Sequence, residues 1–165
     1  MNTDVLVDGI HFSDATTAAV DVGWRAVAAN LSDLAASGAV SIDGITVALV
    51  APGTTPWSWV EGVYDGINAA LEKHGGTLLG GDCSSGSSRL LSVTALGRLG
   101  PLRLLRNAAQ PGDVLISSGP HGLSRLGLAL LQKEPLVQTT SLSSALQDQA
   151  ISQHQRPQPR LDALN

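Results

Sequence analysis

Apolar residues at Val20, Trp24, Val27, Leu31 and Leu34 recur at spacings of three and four, which places them on one helical stripe facing a core. Thr16 or Thr17 is expected to cap this helix, Asp21 lies in its early turns, and Gly38 suits the left-handed residue that closes it. A second helix is expected over 57–74, with Val60, Val63, Ile67 and Leu71 on its inner face and Gly75-Gly76 at its end. Between and around the helices the period shortens to two. Strands are expected over 3–10, 45–50, 77–79 and 90–99, the last with Leu91, Val93 and Ala95 on one face and Ser92, Thr94 and Leu96 on the other. The order strand, helix, strand, helix, strand, strand, with a tight hairpin over 77–99, predicts an α+β fold: a mixed sheet packed on two helices.

Residues 101–112 carry Pro101, Pro111 and Gly112 and read as a hinge. Beyond it, 113–119 (Asp-Val-Leu-Ile-Ser-Ser-Gly) predicts a strand, 122–131 a helix, and 142–151 a polar helix; 155–160, with Pro157 and Pro159, is extended or a turn. The expected organisation is a domain over 1–100, the hinge, and the incomplete start of a second α/β domain over 113–165.

Composition changes this picture little. Apolar residues make up 43% of the chain and aromatics 3%, so the core is built from Ala, Val, Leu and Ile. No window supplies the ~18 uninterrupted apolar residues of a membrane helix, no export signal is expected, and the single cysteine, Cys83, fits a cytoplasmic protein. Charge is more informative. Residues 1–82 hold ten acidic and two basic side chains, a balance of −8, whereas 83–165 balance at +4. The acidic half argues against nucleic acid and is compatible with cations, although acidic surfaces also serve solubility.

Three carboxylates draw attention: Asp4 opening a strand, Asp33 on the first helix three residues from Asn30, and Asp82 behind Gly80-Gly81. Asn30 and Asp33 are poorer helix formers than the alanines around them, so a solvated helix face competes with a site. The Gly-Gly-Asp sequence is open to ligand approach and is also ordinary turn chemistry. Oxygen-rich carboxylate sets suit Mg²⁺, with water and phosphate completing the octahedron. His11 reads either as an anion contact or as a structural histidine, and Arg106 either as a phosphate contact or as a solvated linker residue. His74 and His121 have no zinc-like spacing with Cys83.

The segments Thr-Asp-Val-Leu-Val-Asp-Gly-Ile-His-Phe at 3–12, Asp-Val-Gly-Trp-Arg-Ala-Val-Ala-Ala-Asn-Leu-Ser-Asp-Leu-Ala-Ala-Ser-Gly-Ala at 21–39, Gly-Gly-Asp at 80–82 and Arg-Asn-Ala-Ala-Gln-Pro-Gly-Asp-Val-Leu at 106–115 resemble the thiamine-monophosphate kinases. These belong to the aminoimidazole-ribonucleotide-synthetase-like superfamily. The resemblance implies transfer of the ATP γ-phosphoryl group to thiamine monophosphate, giving thiamine diphosphate, with Mg²⁺. It implies Thr3, Asp4, Asp33 and Asp82 at metals, Tyr64 (allowing a one-residue shift), Gly81 and Arg106 at the nucleotide, and His11 at the thiamine phosphate. It also implies a homodimer in which the N-terminal sheet pairs with its copy, near the active site.

Two family segments, a Gly-Asp-Asp before the first strand and an Asp-x-Ser-Asp-Gly-Leu motif, lie outside this sequence, so the chain is expected to be truncated at both ends. Asp8 stands where the family usually has Glu, and Cys83 where it has Thr. Two other readings accompany the kinase: a non-catalytic dimerisation or nucleotide-binding module, and an enzyme of the same superfamily with another substrate.

Overall fold

The computed structural model describes residues 1–164. Four strands, β1 (Asn2–Val7), β2 (Ala39–Ala51), β3 (Thr77–Ser85) and β4 (Leu90–Leu99), form one sheet in the order β1-β4-β2-β3. β4 runs antiparallel to both β1 and β2, whereas β3 runs parallel to β2. The helices α1 (Ala19–Ala36) and α2 (Trp57–His74) cover one face, and a single core cluster joins Val22, Val27 and Leu31 of α1 and Val63 and Ile67 of α2 to Ile45, Val47, Leu91 and Val93. The mixed sheet on two helices is as the pattern predicts. The β3–β4 hairpin is not: β2 lies between them. β2 and β3 are joined through α2, the crossover connection that a parallel pair requires.

Other expectations are corrected locally. Neither Thr16 nor Thr17 caps α1, whose N-cap is Ala18 without a side-chain hydrogen bond; both threonines are buried, their hydroxyls paired with each other. Gly38 does take the left-handed conformation, at φ +87°. The strand expected over 113–119 is absent, and Val114, Leu115 and Ile116 are 82%, 99% and 88% exposed. A third helix, α3 (Leu123–Leu131), a short α4 (Pro135–Gln138) and α5 (Ser144–Gln155) follow. α3 and α5 meet closely: a Cβ on Gly127 would lie 2.1 Å from the Ala150 carbonyl oxygen.

α1 and α2 cross at still closer range. A Cβ on Gly23 would fall 1.9 Å from the Val63 oxygen and one on Gly66 1.8 Å from the Val20 oxygen, so glycine is the residue that lets these backbones touch.

The chain after α5 returns to the first helical layer. The Trp24 indole Nε1 donates to the Pro157 carbonyl at 2.9 Å, with Lys73 Nζ and the Arg156 guanidinium 5.3 and 5.6 Å from its ring centroid. Arg156 also pairs with Asp21, Lys73 donates to Gln158 at 2.7 Å, and Leu161 packs against the core. The 154–161 strap thus buries the edge of α1.

His74 meets Trp24 edge-on at 5.4 Å. Burial, and then the charge of Lys73, hold the His74 pKa below its ordinary value; burial, and then Arg25, do the same for His154. Both imidazoles therefore stay neutral in the folded chain at pH values where the unfolded chain binds protons, and stability falls with falling pH from about 6.5 downward. Urea midpoints measured stepwise from about pH 8 to about pH 5 are expected to show this loss, and His74→Gln to make the slope shallower.

Candidate functional site

The first loop, 8–14, is built tightly. Gly9, at φ +77°, turns the chain; the Gly9 N–H donates to the Phe12 carbonyl at 2.8 Å and the His11 N–H to the Val7 carbonyl at 2.8 Å. The Val7 N–H in turn donates to His11 Nδ1 at 3.0 Å, and the His11 carbonyl accepts from Arg25 at 2.8 Å. His11 is exposed, with its Nε2 edge free of protein partners among the described residues.

Strand register places the rest. Asp4, Val93, Val47 and Gly81 form one row across the sheet, and the two valines are buried beneath the helices, so Asp4 shares the helix-covered face at an open edge. Asp82 lies in the next row with Ala48 and Ser92, and its side chain belongs to the uncovered face at the opposite edge. Three strand spacings, about 14 Å, separate the two edges. Thr3 also lies on the uncovered face, its hydroxyl 2.8 Å from that of Thr94. Asp33 is half-buried on α1 beside Ser32, which lines a cleft of about 610 Å³ with Gly119, His121, Ser124 and Arg160. Among the described residues no three His, Cys, Asp or Glu side chains converge on one point.

The carboxylates are nevertheless suited to separate cations. The Asp33 carboxylate takes no hydrogen bond from the described residues, Asp4 receives one from the Val5 N–H at 3.0 Å, and Asp82 one from Ser84 at 3.1 Å. Each keeps a free oxygen. Mg²⁺ is commonly held by one or two carboxylates plus phosphate and water, so spread donors fit ions shared with phosphorylated ligands better than a closed cage.

Asn30 resolves differently from its helical neighbour. It is fully buried, donating to the Ala26 carbonyl at 2.9 Å and accepting from Asn2 Nδ2 at 3.2 Å, so it ties α1 to β1.

At the far edge, the Tyr64 hydroxyl lies 3.9 Å from the Cys83 thiol, and burial, reinforced by that contact, pushes the Tyr64 pKa up. A Cβ on Gly81 would meet the Val47 carbonyl oxygen at 1.9 Å, so this position has no room for a side chain. A pocket of about 260 Å³ lined by Trp57, Val60 and Cys83 adjoins them. Arg106 is exposed in the 101–118 segment, outside the strands and helices.

One cluster was not anticipated from the sequence. Arg89, with a side chain 14% exposed, donates to Asp8 at 2.7 Å and, through both terminal nitrogens, to Asp14 at 2.8 and 3.1 Å. Its guanidinium lies 4.8 Å from the Trp59 ring centroid and 5.8 Å from that of Phe12. The only early signal was an arginine immediately before a strand that opens on Leu90 and Leu91.

The family model for AIR synthase related protein, N-terminal domain, matches residues 1–99. A relative named thiamine-monophosphate kinase from Prochlorococcus marinus is 58% identical over 164 residues, covering 99% of this chain and 49% of that protein. The crystal structure of thiamine monophosphate kinase from Aquifex aeolicus superposes with a TM-score of 0.85 at 31% identity, over 99% of this chain and 52% of that one. A structure described as AaThiL complexed with AMPPCP and TMP gives 0.80 at 30% identity, over 99% and 50%. The chain spans about half the length of the curated relatives it matches. With the sheet, the two covering helices and the match over 1–99 all in agreement, this chain belongs to the AIR synthase related proteins through their N-terminal domain.

Proposed function

We propose that this chain is the N-terminal half of a thiamine-monophosphate kinase, which phosphorylates thiamine monophosphate with ATP and Mg²⁺ in the cytoplasm. The observation that carries the reading is the 58% identity over 164 residues, 99% of this chain, with a relative of that name. The chemistry of the site supports it. Phosphoryl transfer asks a protein chiefly to position two phosphorylated reactants and offset their charge. Asp4, Asp33 and Asp82, with Thr3, would hold the Mg²⁺ ions; Tyr64, Gly81 and Arg106 would contact ATP, and His11 the thiamine phosphate. Residues 1–100 would form the binding domain, 101–112 the hinge, and 113–165 the start of a second domain. A homodimer through the uncovered sheet face is part of the same proposal.

ADP release with thiamine monophosphate, ATP and Mg²⁺ tests the reaction, on this chain alone and on this chain supplied with the polypeptide corresponding to the other half of a relative. Turnover in either supports it; none in both overturns it.

Asp33→Asn is expected to weaken Mg²⁺-dependent nucleotide binding by about tenfold or more. Its urea midpoint should stay close to that of the parent. A folding loss above about 3 kcal/mol would instead make Asp33 a buried structural partner.

A second reading rests on the separation of the three carboxylates within one chain. It takes the chain as a dimerising, non-catalytic module. Light scattering showing a dimer, with no Mg-ATP binding by calorimetry, would favour it over the kinase.

A further inference from the structure

We infer that Arg89 is a positioning residue: it clamps both ends of the 8–14 loop so that His11 presents Nε2–H, and not Nδ1, to the phosphoryl group of thiamine monophosphate. The inference rests on the proposed function for the identity of the ligand, and on the structure for the clamp.

Arg89 immediately precedes β4, whose first residue Leu90 pairs with Val7 of β1, so the guanidinium is held at the end of the sheet rather than in the loop it clamps. One arm reaches Asp8, the first residue after β1, and the other takes Asp14 in a two-pronged pair. The Asp8 N–H closes the same junction by donating to the Arg89 carbonyl at 3.0 Å. His11 lies between these two fixed points. Stacking over Trp59 and Phe12 removes the guanidinium from most of the solvent, which strengthens its charge-assisted bonds; these bonds, Asp14 first, push the Arg89 pKa up. Lysine could not reproduce the arrangement, because a point charge cannot fork to two carboxylates while lying flat on a ring.

The consequence for His11 is chemical. The Val7 N–H donates to Nδ1, so the neutral ring carries its proton on Nε2, the edge that faces solvent. Nε2–H is then a fixed hydrogen-bond donor aimed outward, suited to a phosphate oxygen. If the loop loosens, the Val7 bond opens and the ring exchanges tautomers, so the donor is present only part of the time. The role is one of orientation: the Arg89 guanidinium is taken up by the Asp8 and Asp14 carboxylates and acts on His11 only through the loop.

The test uses the 165-residue chain with ¹⁵N-labelled histidine, compared with Arg89→Met, Arg89→Lys and the exposed Asp14→Asn, which leaves the Asp8 arm intact should the arginine variants fail to fold. The His11 ¹⁵N shifts should report an Nε2–H tautomer in the parent and an averaged ring in Arg89→Met, with faster amide exchange confined to 7–14. Calorimetry should show thiamine monophosphate binding weakened on the order of tenfold in Arg89→Met. Mg-ATP binding should be unchanged, and Arg89→Lys and Asp14→Asn should fall between. An unaltered tautomer and unaltered exchange in all folded variants would overturn the clamp. Equal loss of both ligands would reduce Arg89 to a fold-wide stabiliser and overturn the assignment. A parent chain with the fixed tautomer but no affinity for thiamine monophosphate, alone or supplied with the polypeptide of the other half, would overturn the ligand, and the proposed function with it, while leaving the clamp established.

Discussion

Trp24→Ala is expected to lower the unfolding free energy by about 4 kcal/mol, in the range for truncating a buried indole. Three separate losses combine there. The ring leaves a cavity in the layer between α1 and the 154–161 strap, since Trp24 is almost completely buried. The Pro157 carbonyl loses its donor. The cations of Lys73 and Arg156 lose the ring face they lie against, which leaves Arg156 with only its Asp21 pair in the strap. Trp24→Phe keeps the ring and removes the N–H, so about 1 kcal/mol of the effect should remain from the hydrogen bond alone. Urea denaturation followed by circular dichroism measures both. Limited trypsin digestion locates the loss: cleavage after Arg160 should accelerate in Trp24→Ala under native conditions, well before cleavage after Arg25. A loss below about 1 kcal/mol would mean that the strap and α1 are held by other contacts.

Gly66→Ala should cost about 3 kcal/mol although alanine is the better helix former by roughly 1 kcal/mol. The added methyl would land 1.8 Å from the Val20 oxygen and 2.9 Å from the Trp24 nitrogen, both backbone atoms of α1. A flexible side chain could swing aside, but a helix backbone has to move as a body, and every contact of α1 with the sheet moves with it. Gly62→Ala provides the comparison. Its methyl would meet the Ala19 Cβ at 3.0 Å, with the α1 backbone no nearer than 3.6 Å, so it should cost clearly less. Equal urea midpoints for the two variants would show that the crossing has slack the distances do not suggest.

Much of the helical layer was legible from spacing, because stripes at three and four residues are local. α2 and β4 occupy the residues expected, and Leu91, Val93 and Ala95 face the core as their alternation implied. The strand order was not legible. Residues 77–85 and 90–99 are joined by a short Gly/Ser segment, which reads as a hairpin, yet β3 is exposed along its whole length while β4 buries every second residue. That contrast was in the sequence: the glycines and small polar residues of β3 suit an edge, and the apolar alternation of β4 suits a strand with a neighbour on each side. The 113–119 segment shows the opposite limit. Its apolar run has strand character, but strand character has no outcome without a partner edge, and Val114 to Ile116 remain in solvent.

The site divides in the same way. The sequence pointed to Asp4, Asp33, Asp82 and His11 through motifs, and all four lie within the stretch that the AIR synthase related family model matches. It did not show that the first and last of the carboxylates sit on opposite edges and faces, because that depends on the register of four strands. Nor did it show that Asn30, beside Asp33, is a buried tie to Asn2 rather than part of a polar face. Arg89 was invisible for a related reason: its partners Asp8 and Asp14 are more than seventy residues away in the chain, and no local pattern connects them.

The position of β4 between β1 and β2 also bears on how the chain assembles during synthesis. β2, α2 and β3 are consecutive and can associate as soon as they leave the ribosome. Among the described residues β1, the first of the four strands in the chain, pairs only with β4, and β4 is the last of the four in sequence. At ~5–20 residues per second the first strand therefore waits several seconds with its edge unpaired. A single late insertion then joins it to β2 and brings Arg89 to Asp8 and Asp14, so the loop bearing His11 takes its shape only at the step that completes the sheet.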